Sequence, residues 1–308
     1  MEIALQFILL ALGFVMLAKG ADWFVEGAAG IAMRFGIPQL VIGLTIVAMG
    51  TSAPEAAVSI AAAVKGNADI TIGNIVGSNI LNILVILGLA ASIVPIAVAR
   101  STVRIEIPFM IGVTALLFYQ GRDGSISLAD GGVLMVAFAV YMMYLYTMAM
   151  KSNVDSDLEE PGLPLGRCLL GAVGGLALII AGSNVTVGAA TSIATYAGLS
   201  ERFIGLTIVA LGTSLPELFT SVAAARRGNA DIAIGNIVGS NIFNILFVVG
   251  LSALIIDIPF ASAFNFDTYV ALGAAVLLWL CVLRTQRLQR WAGALMLVCY
   301  AAYLLYIL

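Results

Sequence analysis

The chain has 308 residues, of which 62% are hydrophobic and 10% charged, and its mean hydropathy is +1.10. Soluble domains run nearer half apolar and a quarter charged, so the expected class is an all-α polytopic membrane protein, and a nucleic-acid-binding module is excluded. The net charge of −3 says little for a chain whose charges sit in loops and at a few special sites, while the absence of histidine removes the commonest metal ligand and neutral-pH proton relay.

Ten apolar spans are predicted, at 3–33, 40–64, 70–98, 105–119, 128–149, 165–195, 202–226, 232–256, 268–283 and 291–307. The first carries Lys19, Asp22 and Glu26, and Glu2 stands where the basic region of a secretion signal belongs, so no cleaved leader is expected. The second contains "GTSAPE" (50–55), which places the helix breaker Pro54 beside Glu55. Pro54 has no N–H for the carbonyl of Gly50 and its ring crowds that carbonyl, so a break is expected that frees carbonyls near residues 48–51. The third contains "GNIVGSNILN" (73–82), with Ser78 and Asn82 one turn apart on one face. Its glycines serve either close helix packing or a local break. The longest hydrophilic stretch, "KSNVDSDLEEPGLPLGR" at 151–167, reads as a linker, acidic over 151–164, between a first unit (1–150) and a second (165–308).

Residues 43–88 laid over 205–250, a shift of 162, differ at 13 of 46 positions without a gap. The second copy carries "GTSLPE" (212–217), with Pro216 facing Gly212 and a break expected at 210–213, then "GNIVGSNIFN" (235–244) with Ser240 and Asn244. Packing by small residues explains repeated Gly and Ala but not matched Glu, Asn, Thr, Ser and Pro, so the halves are duplicates. Five spans per half is an odd number, which inserts the second half upside down: two inverted five-helix repeats, a pattern of secondary transporters. One side holds Lys65, Arg122 and Arg202; the other holds Arg34, Arg100, Arg104, Lys151, Arg167, Arg226, Arg227, Arg284, Arg287 and Arg290. The basic side is expected in the cytoplasm, with both termini outside and the linker inside.

No Lys or Arg lies in the second, third, seventh or eighth span to pair with Glu55 or Glu217. An ionised, unpaired carboxylate at membrane depth is costly, so either a bound cation or a proton is expected there. Carboxylates, freed carbonyls and the hydroxyls of Thr51, Ser52, Thr213 and Ser214 are all oxygen donors, a set suited to Ca²⁺ and Na⁺ and ill suited to zinc or copper. Asp69 and Asp231 read as helix-start residues. Asp22 and Glu26 are replaced by Asn184 and Gly188 in the second half, which argues against a shared ligand role. Cys168, Cys281 and Cys299 read as packing residues, since no CxxC spacing joins them.

The paired blocks "GTSAPE…GNIVGSNILN" and "GTSLPE…GNIVGSNIFN" resemble the two α-repeats of the cation/Ca²⁺ exchanger superfamily, in its prokaryotic Na⁺/Ca²⁺ exchanger branch. The resemblance implies four ion sites in a diamond at mid-membrane and alternating access by sliding of the first and sixth helices over a fixed core. It implies that Glu55 and Glu217 are shared carboxylates and that the carbonyls of Thr51 and Thr213 complete a Ca²⁺ site. Na⁺ sites would draw on Ala48, Ser52, Ser78, Ala210, Ser214 and Ser240, and Asn82 and Asn244 would line the centre. Some members, notably K⁺-dependent ones, carry Asp where this chain has Asn244; two carboxylates instead of three favour K⁺ independence. The H⁺/Ca²⁺ branch usually has a "GNATE"-like block instead of "GTSxPE". An antiporter exchanging Na⁺ for Ca²⁺ is therefore expected, with H⁺/Ca²⁺ exchange as the alternative and a passive cation channel third. The implied partners are the two ions and the bilayer, with no cofactor, no enzymatic activity and no implied oligomer.

Overall fold

The computed structural model describes residues 2–152, 163–198 and 210–307. Its helices are α1 (Glu2–Phe35), α2 (Gln39–Thr51), α3 (Ala53–Val64), α4 (Ile70–Ile93), α5 (Thr102–Asp123), α6 (Leu128–Lys151), α7 (Leu165–Tyr196), α8 (Ala210–Thr213), α9 (Leu215–Arg226), α10 (Ala230–Ile255), α11 (Ala263–Leu283) and α12 (Arg290–Ile307). Eight of these are individually long and apolar enough to cross a membrane, and α2 with α3 makes a ninth, bent by 51°. The tenth expected span, 202–226, appears as α8 and α9; its first residues lie outside the described ones, as does most of the 151–164 linker. The chain is an integral membrane protein.

Burial sorts the helices into layers. In the most apolar stretch of α4 and α10, 78% and 83% of residues are buried, against 17% in α1, α6 and α12. The two glycine-rich helices of the duplicated segments therefore form the core, and the others wrap it. Helix α1 lies along α7, their backbones in contact through small residues. A Cβ added at Gly20 would sit 2.9 Å from the carbonyl oxygen of Gly175, and one at Gly175 would sit 2.7 Å from that of Gly20. Only glycine permits that approach.

The proline breaks fall where expected, each absorbed by the serine before the helix resumes. Ser52 has φ −81° and ψ 7°, and Ser214 has φ −90° and ψ 3°. Two features escape sequence periodicity. The first is π-helical winding at Gly43–Val47, Leu81–Leu87, Thr102–Glu106 and Asn244–Val249. The second is a pair of short strand ladders: β1 (Ile96–Ala97) pairs antiparallel with β4 (Arg287–Leu288), and β2 (Ser125–Ile126) with β3 (Ile258–Pro259). A shift of 162 turns β1 into β3 and β2 into β4, so each ladder joins one half to the other and the two are related by the duplication. Residues 94–98, expected within the third span, instead leave the helix to form this link.

Candidate cation-binding site

Helix resumption after each proline sets a carboxylate in the first turn of α3 and of α9, where exposed N–H groups favour negative charge. Glu55 is 1% exposed and Glu217 0%. Each is met by the serine of the opposite break: Ser52 donates to Glu217 Oε1 at 2.8 Å, and Ser214 donates to Glu55 Oε1 at 3.2 Å. These crossing bonds bring the halves together around one centre. Among the described residues, the ion pairs formed are those of Arg227 with Asp22 (3.3 Å) and Glu26 (3.1 Å), so both central carboxylates lack a basic partner. Asp22 and Glu26 are partly exposed and hold α1 to the end of α9, in keeping with a place outside the core site.

Asn82 and Asn244 stand at the start of π-helical winding in α4 and α10, and both are buried. A widened turn of this type is frequent at functional sites. Their amide nitrogens are engaged: Asn82 Nδ2 donates to Asn241 Oδ1 at 2.9 Å, and Asn244 Nδ2 to Asn79 Oδ1 at 3.1 Å. Among the described residues of the duplicated segments 43–88 and 205–250, five buried side-chain oxygens then have no hydrogen-bond partner: the Thr220 hydroxyl, and four that pair at the 162-residue spacing, Glu55 Oε2 with Glu217 Oε2 and Asn82 Oδ1 with Asn244 Oδ1. Buried polar atoms are ordinarily satisfied, and two pairs of orphaned acceptors related by the 162-residue shift ask for a ligand that accepts lone pairs. A hard cation or a proton answers that description; an anion does not.

The remaining expected residues surround this centre. Thr51 is fully buried and its hydroxyl donates to Asn236 Oδ1 at 3.0 Å, while Thr213 is half-buried and ends α8. Ser78 and Ser240 are buried on α4 and α10, and Ser240 donates to the carbonyl of Ala48 at 3.4 Å. That carbonyl also keeps its helical bond from Ser52 N at 3.0 Å, and the Gly50 carbonyl too accepts a backbone N–H where the turn ends. The break between α2 and α3 therefore does not free these two carbonyls as expected: the chain tightens there and supplies other donors. Ala210 opens α8 in the matching place. In the second half Ser183 of α7 donates at 2.6 Å to the carbonyl of Gly212, the group deprived of its helical donor by Pro216.

Sequence reasoning does not single out several contributors. Asn74 Nδ2 donates to Ser59 Oγ (2.9 Å) and the Glu55 carbonyl (3.2 Å); Asn236 Nδ2 donates to Ser221 Oγ (2.9 Å) and the Glu217 carbonyl (3.4 Å). These bonds tie each carboxylate-bearing turn to the core helix beside it. Asn79 and Asn241 are the others. All six recur at the 162-residue spacing, a signal that could have marked them.

The family described as "Sodium/calcium exchanger protein" matches residues 5–147 and 168–308. The chain is 40% identical over 314 residues to the putative antiporter CaxA of Alkalimonas amylolytica, covering 98% of both chains. It is 32% identical over 350 residues to the sodium/calcium exchanger MaX1 of Methanosarcina acetivorans, again covering 98% of each. Among solved structures, the sodium-calcium exchanger NCX_Mj soaked with zero Na⁺ and Ca²⁺ superposes with a TM-score of 0.88 at 32% identity, over 99% of this chain and all of the other.

Proposed function

The chain belongs to the sodium/calcium exchanger protein family, and from that premise we propose that it exchanges Na⁺ for Ca²⁺ at the centre formed by Glu55 and Glu217. The observation that carries this reading is the set of four orphaned, buried oxygens, two carboxylate and two amide, with no basic residue paired to the carboxylates among the described residues. Two negative charges are balanced by one Ca²⁺ or by two Na⁺, so the ions compete for one cage and joint occupancy is disfavoured. That competition is what antiport requires. Any Na⁺ bound beyond two at neutral oxygens makes the exchange electrogenic.

In this reading Glu55 and Glu217 are shared by both ions, and the carbonyls of Thr51 and Thr213 complete the Ca²⁺ position. Ala48, Ser52, Ser78 and their counterparts Ala210, Ser214 and Ser240 serve Na⁺, while Asn82 and Asn244 line the middle. The units 1–150 and 165–308 are the two inverted halves, and residues 151–164 the connection between them. The excess of Arg and Lys on one side supports a cell-membrane protein with that connection in the cytoplasm and both termini outside.

The test is ⁴⁵Ca²⁺ uptake into proteoliposomes loaded with Na⁺. Uptake that requires an outward Na⁺ gradient is expected. Uptake that ignores Na⁺ and follows a pH gradient replaces the counter-ion with H⁺, and uptake independent of any gradient rejects exchange.

A further inference from the structure

An asparagine is a two-ended ligand. Its oxygen attracts a cation and its NH₂ repels one, yet the two ends are nearly the same size, so a cation site built with amides needs something that fixes which end faces inward. The structure contains such a device, and it lies in Asn79 and Asn241, which take no part in the ligand set proposed above.

The direction can be traced bond by bond. The backbone carbonyl of Asn79 can only accept, and it accepts from Asn241 Nδ2 at 3.2 Å. That bond aims Asn241 Oδ1 the other way, where it takes the proton of Asn82 Nδ2 at 2.9 Å. With its nitrogen held there, Asn82 presents Oδ1 on the opposite side, and that atom is one of the four orphaned oxygens. The second half repeats the sequence of constraints. The carbonyl of Asn241 accepts from Asn79 Nδ2 at 3.2 Å, and Asn79 Oδ1 accepts from Asn244 Nδ2 at 3.1 Å. Asn244 Oδ1 is left free and buried. Every amide orientation thus descends from a backbone carbonyl, which has no alternative role. The four side chains are between 0% and 3% exposed, so water does not compete for these bonds.

We propose that Asn79 and Asn241 are positioning residues that lock the amides of Asn82 and Asn244 with their oxygens toward the transported cation, each acting on the helix of the other repeat. The proposal rests on the reading of Asn82 and Asn244 as ion-facing. It gives the cross-linking of α4 and α10 a purpose beyond packing: each half of the protein sets the polarity of the ligand contributed by the other.

The test uses the fact that a carboxylate offers oxygen whichever way it turns. Asn79→Leu removes the acceptor that restrains Asn244, and apparent Ca²⁺ affinity of the full-length protein should fall by about tenfold or more, the usual cost of losing a group that orients a ligand. In an Asn244→Asp background the same Asn79→Leu change should leave Ca²⁺ affinity nearly unaltered, because no amide remains to turn. Asn79→Asp keeps an acceptor for Asn244 Nδ2 but loses the donor to the Asn241 carbonyl, so it should weaken Ca²⁺ binding clearly less than Asn79→Leu. Equal losses from Asn79→Leu in the native and Asn244→Asp backgrounds would show a merely structural role and overturn the proposal. So would loss in Asn79→Asp as large as in Asn79→Leu. Asn244→Ala separates the two levels: unchanged Ca²⁺ affinity there defeats the ligand reading itself, whereas loss there with none in Asn79→Leu defeats only the locking role. If Asn79→Leu does not fold, as judged by thermal stability in detergent, the same cycle with Asn241→Leu and Asn82→Asp decides the question.

Discussion

Replacing Glu55 by Gln removes one unit of charge from the cage and little else. The Gln Oε1 can still accept from the Ser214 hydroxyl that now lies 3.2 Å from Glu55 Oε1, and the side chain has the same length. With a carboxylate about 3 Å from a bound ion and an effective dielectric near 20, the lost attraction is about 11 kcal/mol for Ca²⁺ and about half that for Na⁺. The ratio is sturdier than the magnitudes, because the dielectric cancels from it. If stronger screening scales the Ca²⁺ term to about 4 kcal/mol and with it the Na⁺ term to about 2 kcal/mol, Ca²⁺ affinity drops by about a thousandfold and Na⁺ affinity by about thirtyfold. Equilibrium binding of ⁴⁵Ca²⁺ and ²²Na⁺ to purified Glu55→Gln and Glu217→Gln proteins measures both. Loss of Ca²⁺ affinity by less than tenfold, or equal losses for the two ions, would refute the sharing of two carboxylates between one Ca²⁺ and two Na⁺.

Three further outcomes follow from contacts outside that pair. Ser183→Ala leaves the Gly212 carbonyl without either a helical or a side-chain donor and should lower stability by about 0.6–2 kcal/mol, read as a shift in thermal unfolding in detergent; an unshifted transition would mean that water satisfies the carbonyl. Arg227→Gln removes the two partly exposed ion pairs to Asp22 and Glu26, worth less than about 1 kcal/mol each, so its destabilisation should be small and should fade as ionic strength rises. Gly20→Leu drives a side chain into the Gly175 backbone and should cost several kcal/mol or abolish folding, whereas Gly174→Leu, with open space at its Cβ position, should be tolerated; folded yield by size-exclusion chromatography compares them.

The duplication, the two breaks and the carboxylates are legible because each is local in sequence or fixed by one offset. A proline followed by a glutamate inside an apolar run needs no tertiary information to be recognised as costly. What escapes is of another kind. The bonds from Asn82 to Asn241 and from Ser52 to Glu217 span 159 and 165 positions, and a polar residue inside a glycine-rich helix looks the same whether it lines a site or braces one. Asn79 is passed over for that reason, although its recurrence as Asn241 marks it as fully as the ligands beside it. The strand ladders are hidden because two residues of extended backbone leave no period to detect. The π-helical winding at Asn82 and Asn244 is hidden because a widened turn alters hydrogen bonding without altering hydropathy.

Where the two halves differ is as informative as where they match. The bonds that define the cage come in equivalent pairs: Ser52 to Glu217 with Ser214 to Glu55, and Asn82 to Asn241 with Asn244 to Asn79. Among the contacts without an equivalent in the other half are those of α1 and α7. Ser183 braces the second break, but its counterpart is Ala21; Arg227 is held by Asp22 and Glu26, but the counterparts of those three are Lys65, Asn184 and Gly188, of which the last two carry no charge. A cage whose bonds obey a two-fold offers the same oxygens to an ion from either side of the membrane, as a carrier working in both directions requires. A preference for one side must then come from elements that break the two-fold, and the contacts of α1 and α7 are among those that do so in this chain. A substitution at Ser183 or Arg227 should therefore alter directional bias without altering ion selectivity; the check is ⁴⁵Ca²⁺ flux under Na⁺ gradients of opposite direction, with and without competing divalent cations, and a changed ion preference would refute it.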